Sequence, residues 1–147
     1  MQIANYKVVF QEVPDEISIA FIVTGCSLHC KGCHSSEYWN NVGTELTVDK
    51  YLSILSKNEL STCVAFFGGE WTDELPLFLD IAIEKGFKTC LYTGETEVSD
   101  ILLNKLHYLK TGPWIESLGG LNSENTNQIF RNLITGEVLN YKFLNKK

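Results

Sequence analysis

Apolar residues run unbroken from Ile17 to Val23 (ISIAFIV), a β-branched stretch that fits a strand buried on both faces. A second such run, Cys63-Val64-Ala65-Phe66-Phe67, leads into Gly68-Gly69-Glu70, and a third strand, Lys88 to Tyr92, ends in Thr93-Gly94-Glu95. Between these runs the apolar period lengthens to that of a helix. Thr47 is placed to cap one helix, with Val48, Tyr51, Leu52 and Leu55 at helical spacing. Thr72 is placed to cap a second, whose stripe is Leu75, Phe78, Leu79, Ala82 and Ile83; Pro76 falls early enough to be tolerated, and Gly86 ends it. Val98, Ile101, Leu102 and Leu106 mark a third helix. A short strand follows, Tyr108-Leu109-Lys110, broken by Thr111-Gly112-Pro113. Ile129 to Ile134 and Val138 to Phe143 flank Thr135-Gly136-Glu137 in the pattern of a terminal hairpin.

Because strand and helix alternate, the sheet is expected to be mainly parallel with helical crossovers. At 147 residues the chain reads most simply as one domain, 1–147, long enough to bury a real core. A closed eight-unit barrel needs about 250 residues. The expected fold is therefore α/β, a partial, open (β/α) barrel. In parallel α/β sheets the ligand site lies beyond the carboxyl ends of the strands. That rule gathers three loops on one rim: the stretch after Val23, Gly68-Gly69-Glu70, and Thr93-Gly94.

The formal charge of −6 argues against broad nucleic-acid binding and against a membrane-surface role, both of which want a basic face. No apolar run approaches the roughly 18 residues needed to span a bilayer. Met1 to Lys7 lacks the basic, apolar, small-residue order of a signal peptide. The five cysteines are odd in number and three are clustered, a poor disulfide framework that points to the reducing cytosol.

Those three thiols, Cys26, Cys30 and Cys33, are spaced C-x3-C-x2-C within Cys26-Ser27-Leu28-His29-Cys30-Lys31-Gly32-Cys33-His34. At such separations they cannot all bridge one another, but they can converge on one inorganic centre. Cysteine is the usual ligand of an iron–sulfur cluster, and a four-iron cubane held by three cysteines keeps one iron open for chemistry. A structural zinc site completed by His34 or His29 satisfies the same spacing. So does an electron-transfer cluster with a fourth ligand at Cys63 or Cys90. The nine residues alone do not choose. Cys63 and Cys90 lie inside apolar strands, where a lone cysteine usually behaves as a small hydrophobe, and both are expected in the core. Gly68-Gly69 would let backbone approach a ligand closely, and Glu70 can accept from an ammonium group. Thr93 and Gly94 could hold polar ligand atoms on the same rim, while Asn125-Thr126-Asn127-Gln128 reads first as a solvated loop, with a polar ligand contact as the alternative.

In these motifs the chain resembles a known family. Cys26-x3-Cys30-x2-Cys33 is similar to the signature of radical S-adenosylmethionine enzymes, and Gly68-Gly69-Glu70 resembles their Gly-Gly-Glu motif. Within that superfamily the chain resembles the activating proteins of anaerobic ribonucleoside-triphosphate reductase. The likeness extends through Thr24-Gly25-Cys26, Gly32-Cys33-His34, Tyr92-Thr93-Gly94, Lys110-Thr111-Gly112-Pro113-Trp114 and Thr126-Asn127-Gln128. Gly32 stands where many superfamily members carry an aromatic residue, as in the activase subgroup. Thr111-Gly112 stands where many activases have Asp-Gly, and Glu124 to Gln128 where many have Gly-Ser-Ser-Asn-Gln.

The resemblance implies a [4Fe–4S] cluster on Cys26, Cys30 and Cys33, with S-adenosylmethionine chelating the fourth iron. It implies Gly32, Cys33 and His34 against the nucleoside, Gly68, Gly69 and Glu70 at the methionine amino group, and Thr93 and Gly94 as further contacts. Reductive cleavage would give a 5′-deoxyadenosyl radical that takes hydrogen from a glycine of the reductase's large subunit. The electron would come from a reduced flavodoxin or ferredoxin-type donor. Open alternatives are an activase of another glycyl radical enzyme, such as pyruvate formate-lyase, and a zinc-binding interaction module. An incomplete barrel cannot by itself shield a primary carbon radical, so the expected substrate is another protein, whose glycine loop closes the open side.

Overall fold

The computed structural model describes residues 1–25 and 43–144. Its strands are β1 (Gln2–Val9), β2 (Ser18–Val23), β3 (Thr44–Glu45), β4 (Cys63–Phe67), β5 (Lys88–Tyr92), β6 (Tyr108–Thr111) and β7 (Ile129–Asn132). They form one seven-stranded sheet in the order β3-β1-β2-β4-β5-β6-β7. Strands β2, β4, β5 and β6 are parallel, so that Phe67 pairs with Tyr92 and Tyr92 with Lys110. Antiparallel β1 and β3 lie on one side of this block and antiparallel β7 on the other. Among the described residues the sheet stays open, as a partial barrel does.

Alternation along the strands sends side chains to two faces. On one, Ile19, Phe21, Val64, Phe66 and Leu91 pack against α1 (Val48–Lys57), α2 (Leu75–Glu84) and the single-turn α3 (Asp100–Leu103). On the other, Cys63, Ala65, Cys90, Tyr108 and Phe130 are covered by Val13 and Leu139, and by Phe143 of α4 (Tyr141–Leu144). The two cysteines expected in the core are there, both buried and unbridged.

Several local expectations are corrected. Thr72 does not cap α2: its N–H and hydroxyl both donate to the Gly69 carbonyl, at 2.9 and 3.0 Å, closing a turn. The helix starts after Glu74, without a side-chain cap, and Pro76 sits in its first turn, where a missing N–H costs nothing. Ile83 of its supposed apolar stripe is exposed. The third helix is one turn long, capped by Ser99, with Val98 and Leu106 outside it. The terminal hairpin reduces to a single bridge, Arg131 with Val138. Its returning arm then folds as α4, because Asn140 turns back to receive the Phe130 N–H (2.8 Å) and to donate to the Gln128 carbonyl (2.8 Å). Strand β1 carries no legible sequence pattern, since Asn5 to Val8 are all exposed.

Candidate functional site

The carboxyl ends of the four parallel strands make one rim. The way out of β2 is fixed by Thr24, whose N–H donates to the Gln2 carbonyl at 3.1 Å. Gly25 follows at φ +94°. The predicted site residues Cys26, Cys30, Gly32, Cys33 and His34 come next in the chain and lie outside the described residues.

At the end of β4, Gly68 and Gly69 both hold positive φ, +92° and +106°. The Gly68 N–H donates to the Tyr92 carbonyl at 2.9 Å, tying this turn to the end of β5. A Cβ on Gly69 would stand 3.4 Å from Val23, so the glycine pair lies directly beside the exit of β2. The chain thus delivers the start of the cysteine loop and the Gly-Gly-Glu turn to one place.

Glu70 reaches back along the rim. Its Oε1 accepts from the Thr93 hydroxyl at 2.6 Å, while Oε2 is buried without a partner. Burial pushes the Glu70 carboxyl above its ordinary range and the nearby Glu95 charge adds to this; the Thr93 hydrogen bond, Glu70's own backbone N–H and the Lys110 charge pull the other way. A half-desolvated carboxylate with one oxygen committed and one orphaned is costly to keep. It is suited to a cationic hydrogen-bond donor brought by a ligand. Beside it opens a cleft of about 230 Å³ bordered by Glu70, Trp71, Glu95, Val98 and Ser99.

Thr93 is buried, and its hydroxyl serves two bonds, donating to Glu70 and accepting the Glu95 N–H at 3.0 Å. Gly94, half-exposed, continues that turn. Two further residues join the rim that sequence reasoning did not assign to a site. Lys110 is buried at the end of β6, its ammonium 3.2 Å from the Thr93 carbonyl and 2.9 Å from that of Gly112. The signal for it was a lysine beside apolar Leu109 in a short strand. Asn127, taken as solvated loop, instead donates from Nδ2 to the Pro113 carbonyl at 3.1 Å. Trp114 neighbours an open groove of about 500 Å³ with Ile115, Glu116 and Ser117.

Among the described residues no three His, Cys, Asp or Glu side chains gather as a metal site. Cys63 lies at the opposite, amino end of β4 and Cys90 in the middle of β5, so neither is on the rim. Among the described residues no helix is long and apolar enough to cross a membrane. A family model described as a 4Fe-4S single cluster domain matches residues 17–118, a span that holds the cysteine loop, the glycine pair, Glu70, Thr93 and Lys110. No curated protein and no solved structure gives a significant match. With most of its length covered by that one model, the chain belongs to the 4Fe-4S single cluster domain family, a domain typical of radical S-adenosylmethionine proteins and glycyl radical activases.

Proposed function

We propose that the chain is a glycyl radical enzyme activase, acting on the large subunit of anaerobic ribonucleoside-triphosphate reductase. The observation that carries this reading is Glu70: a partly buried carboxylate, steadied by Thr93, whose enclosed Oε2 has no partner, on the rim where β2 ends just ahead of Cys26. That oxygen takes the methionine ammonium of S-adenosylmethionine. Gly68 and Gly69, held at positive φ, admit the ligand close to backbone, and Thr93 and Gly94 form the next stretch of wall. Gly32, Cys33 and His34 would contact the nucleoside. Cys26, Cys30 and Cys33 would hold the cluster; Cys63 and Cys90, enclosed in the sheet, would leave it without a fourth protein thiolate. Once bound, the cluster would supply one electron, taken from a reduced flavodoxin or ferredoxin-type donor, for splitting the sulfonium C–S bond into methionine and a 5′-deoxyadenosyl radical. Hydrogen transfer from a glycine Cα to that radical gives 5′-deoxyadenosine and a stored glycyl radical. The open sheet supports a macromolecular substrate, because a protein loop laid over the rim excludes the water and stray donors that the chain alone does not.

The test is anaerobic reconstitution with iron and sulfide, then mixing with S-adenosylmethionine, a reductant and either the reductase or pyruvate formate-lyase. A glycyl radical in the electron paramagnetic resonance spectrum of the reductase is expected. A signal only in pyruvate formate-lyase would reassign the substrate. A colourless zinc protein, or efficient turnover of a small molecule by the chain alone, would overturn the reading.

A further inference from the structure

Among the described residues Lys110 is the one buried lysine or arginine, 8% exposed at the end of β6. Strand register sets it between Tyr92 and Phe130, with Phe67 one strand further on. Its ammonium leaves that aromatic row for the turns of the rim, where it meets two backbone carbonyls. Burying an ammonium is costly, so its charge asks for a use.

The grip on Thr93 is double. The Thr93 N–H donates to the Lys110 carbonyl at 2.9 Å, and the Lys110 ammonium donates back to the Thr93 carbonyl at 3.2 Å. The same ammonium donates to the Gly112 carbonyl at 2.9 Å. The Gly112 N–H donates to the Glu95 carbonyl at 2.8 Å, and the Glu95 N–H to the Thr93 hydroxyl oxygen at 3.0 Å. From this closed ring of bonds the Thr93 O–H is delivered to Glu70 at 2.6 Å.

A neutral donor would tie those carbonyls as well. A positive charge adds something only for an anion, and the anion at hand is Glu70. Glu95 and Glu97 border the same cleft, so two acids and burial oppose its ionised form. Lys110, acting from the next strand over, is the cation that counters them.

Resting on the S-adenosylmethionine reading above, we propose that Lys110 is a positioning residue for that cofactor's amino group. It fixes the Thr93 hydroxyl against Glu70 and keeps the carboxylate charged for the incoming ammonium, acting through these two residues rather than on the ligand. Binding then depends on its charge as well as on its hydrogen bonds, and pH separates the two.

Anaerobic calorimetry with S-adenosylhomocysteine, an uncleavable probe, on the cluster-reconstituted full chain from pH 6 to pH 8.5 tests this. Lys110→Met should bind on the order of tenfold more weakly than wild type at pH 6. That deficit should shrink toward none at pH 8.5, once Glu70 ionises unaided. Lys110→Gln keeps a donor and drops the charge; it should show the same profile, and it carries the test if the methionine variant folds poorly. In a Glu70→Gln background either substitution should add no pH-dependent loss. A deficit equal at every pH, a Lys110→Gln that matches wild type, or a pH-dependent loss that persists with Glu70→Gln overturns the role of Lys110 and leaves the activase reading standing. A wild type that binds no S-adenosylhomocysteine across this pH range overturns the activase reading itself.

Discussion

Glu70 is partly buried and Cys63 fully, and burial acts on them with different consequences. For Glu70 it raises the carboxyl pKa above its ordinary range. Binding of an ammonium ligand needs the ionised form, so affinity should fall as pH drops through that raised value. Stability of the ligand-free fold has the opposite dependence. A group whose folded pKa is raised contributes stability that is present below the unfolded pKa and lost as pH rises through the folded one. Glu70→Gln removes both slopes. Its amide oxygen can still accept from Thr93, so the variant should melt no lower than wild type at pH 7, yet bind S-adenosylmethionine at least tenfold more weakly; calorimetry and thermal melts check both. For Cys63, burial pushes the thiol up to about 12, far from the thiolate that binds iron. Cys63→Ala should therefore keep the iron and sulfide content of the wild type, whereas Ala at Cys26, Cys30 or Cys33 should lose the cluster and abolish cleavage. Loss of the cluster in Cys63→Ala would restore the four-cysteine electron carrier. The core placement of Cys63 was legible from its apolar strand. The fate of Asn127 was not, because a run of amides looks the same solvated or seated, and only Pro113, distant in sequence but close in space, decides it.

The parallel strands are also tied together at their amino ends, away from the rim. Glu16, just ahead of β2, is buried and accepts from the Tyr108 hydroxyl (2.7 Å, start of β6), Lys88 (2.9 Å, start of β5) and the Thr62 hydroxyl (2.7 Å, just before β4). One carboxylate thereby ties four neighbouring strands. Burial alone would raise its pKa, but the bonds from Tyr108, Lys88 and Thr62, with the Lys88 charge, together hold it below 4.5. Here the sign is reversed relative to Glu70: the stability Glu16 contributes is present above the unfolded pKa and lost as pH falls through the depressed one. Glu16→Gln should cost about 2 kcal/mol at pH 7 and flatten the acid limb of the melting curve; since Lys88 is half-exposed, Lys88→Met should cost well under that. An acid limb as steep in Glu16→Gln as in wild type would refute this role. The strands so tied were readable because strands buried on both faces give unbroken apolar runs. The edge strand β1 was not, since its exposed middle breaks any period. Nor was the shortness of α3, because an apolar stripe records which residues face the core and says little about where backbone hydrogen bonding stops.

For the molecule as a whole, the open sheet has to cover its second face without a full ring of strands and helices. Among the described residues two short segments do so. Val13 comes from the turn between β1 and β2, and Leu139 and Phe143 come from the end of the described chain. The Phe143 ring stands 5.3 Å from Phe130, which contacts Tyr92 at 5.7 Å and Tyr108 at 5.9 Å; Tyr92 in turn stacks on Phe67 at 4.4 Å. This aromatic series runs from the C-terminal turn toward the rim, where Phe67 and Tyr92 are only partly buried. A four-residue helix has little stability of its own, so this cover rests on its apolar contacts together with the surface pairs Lys142–Asp15 and Tyr141–Glu137. Phe143→Ala should cost about 3 kcal/mol, and it should do so by loosening the cover rather than the parallel strands. Cys63 and Cys90, both beneath it, then become reporters. In wild type they should resist alkylation at pH 8 without denaturant, while in Phe143→Ala at least one should react at a rate set by local opening. Should the variant lose stability while both thiols stay inert, the second face would be sealed by something other than this turn, and the division of the fold into a tied sheet and a removable cover would be wrong.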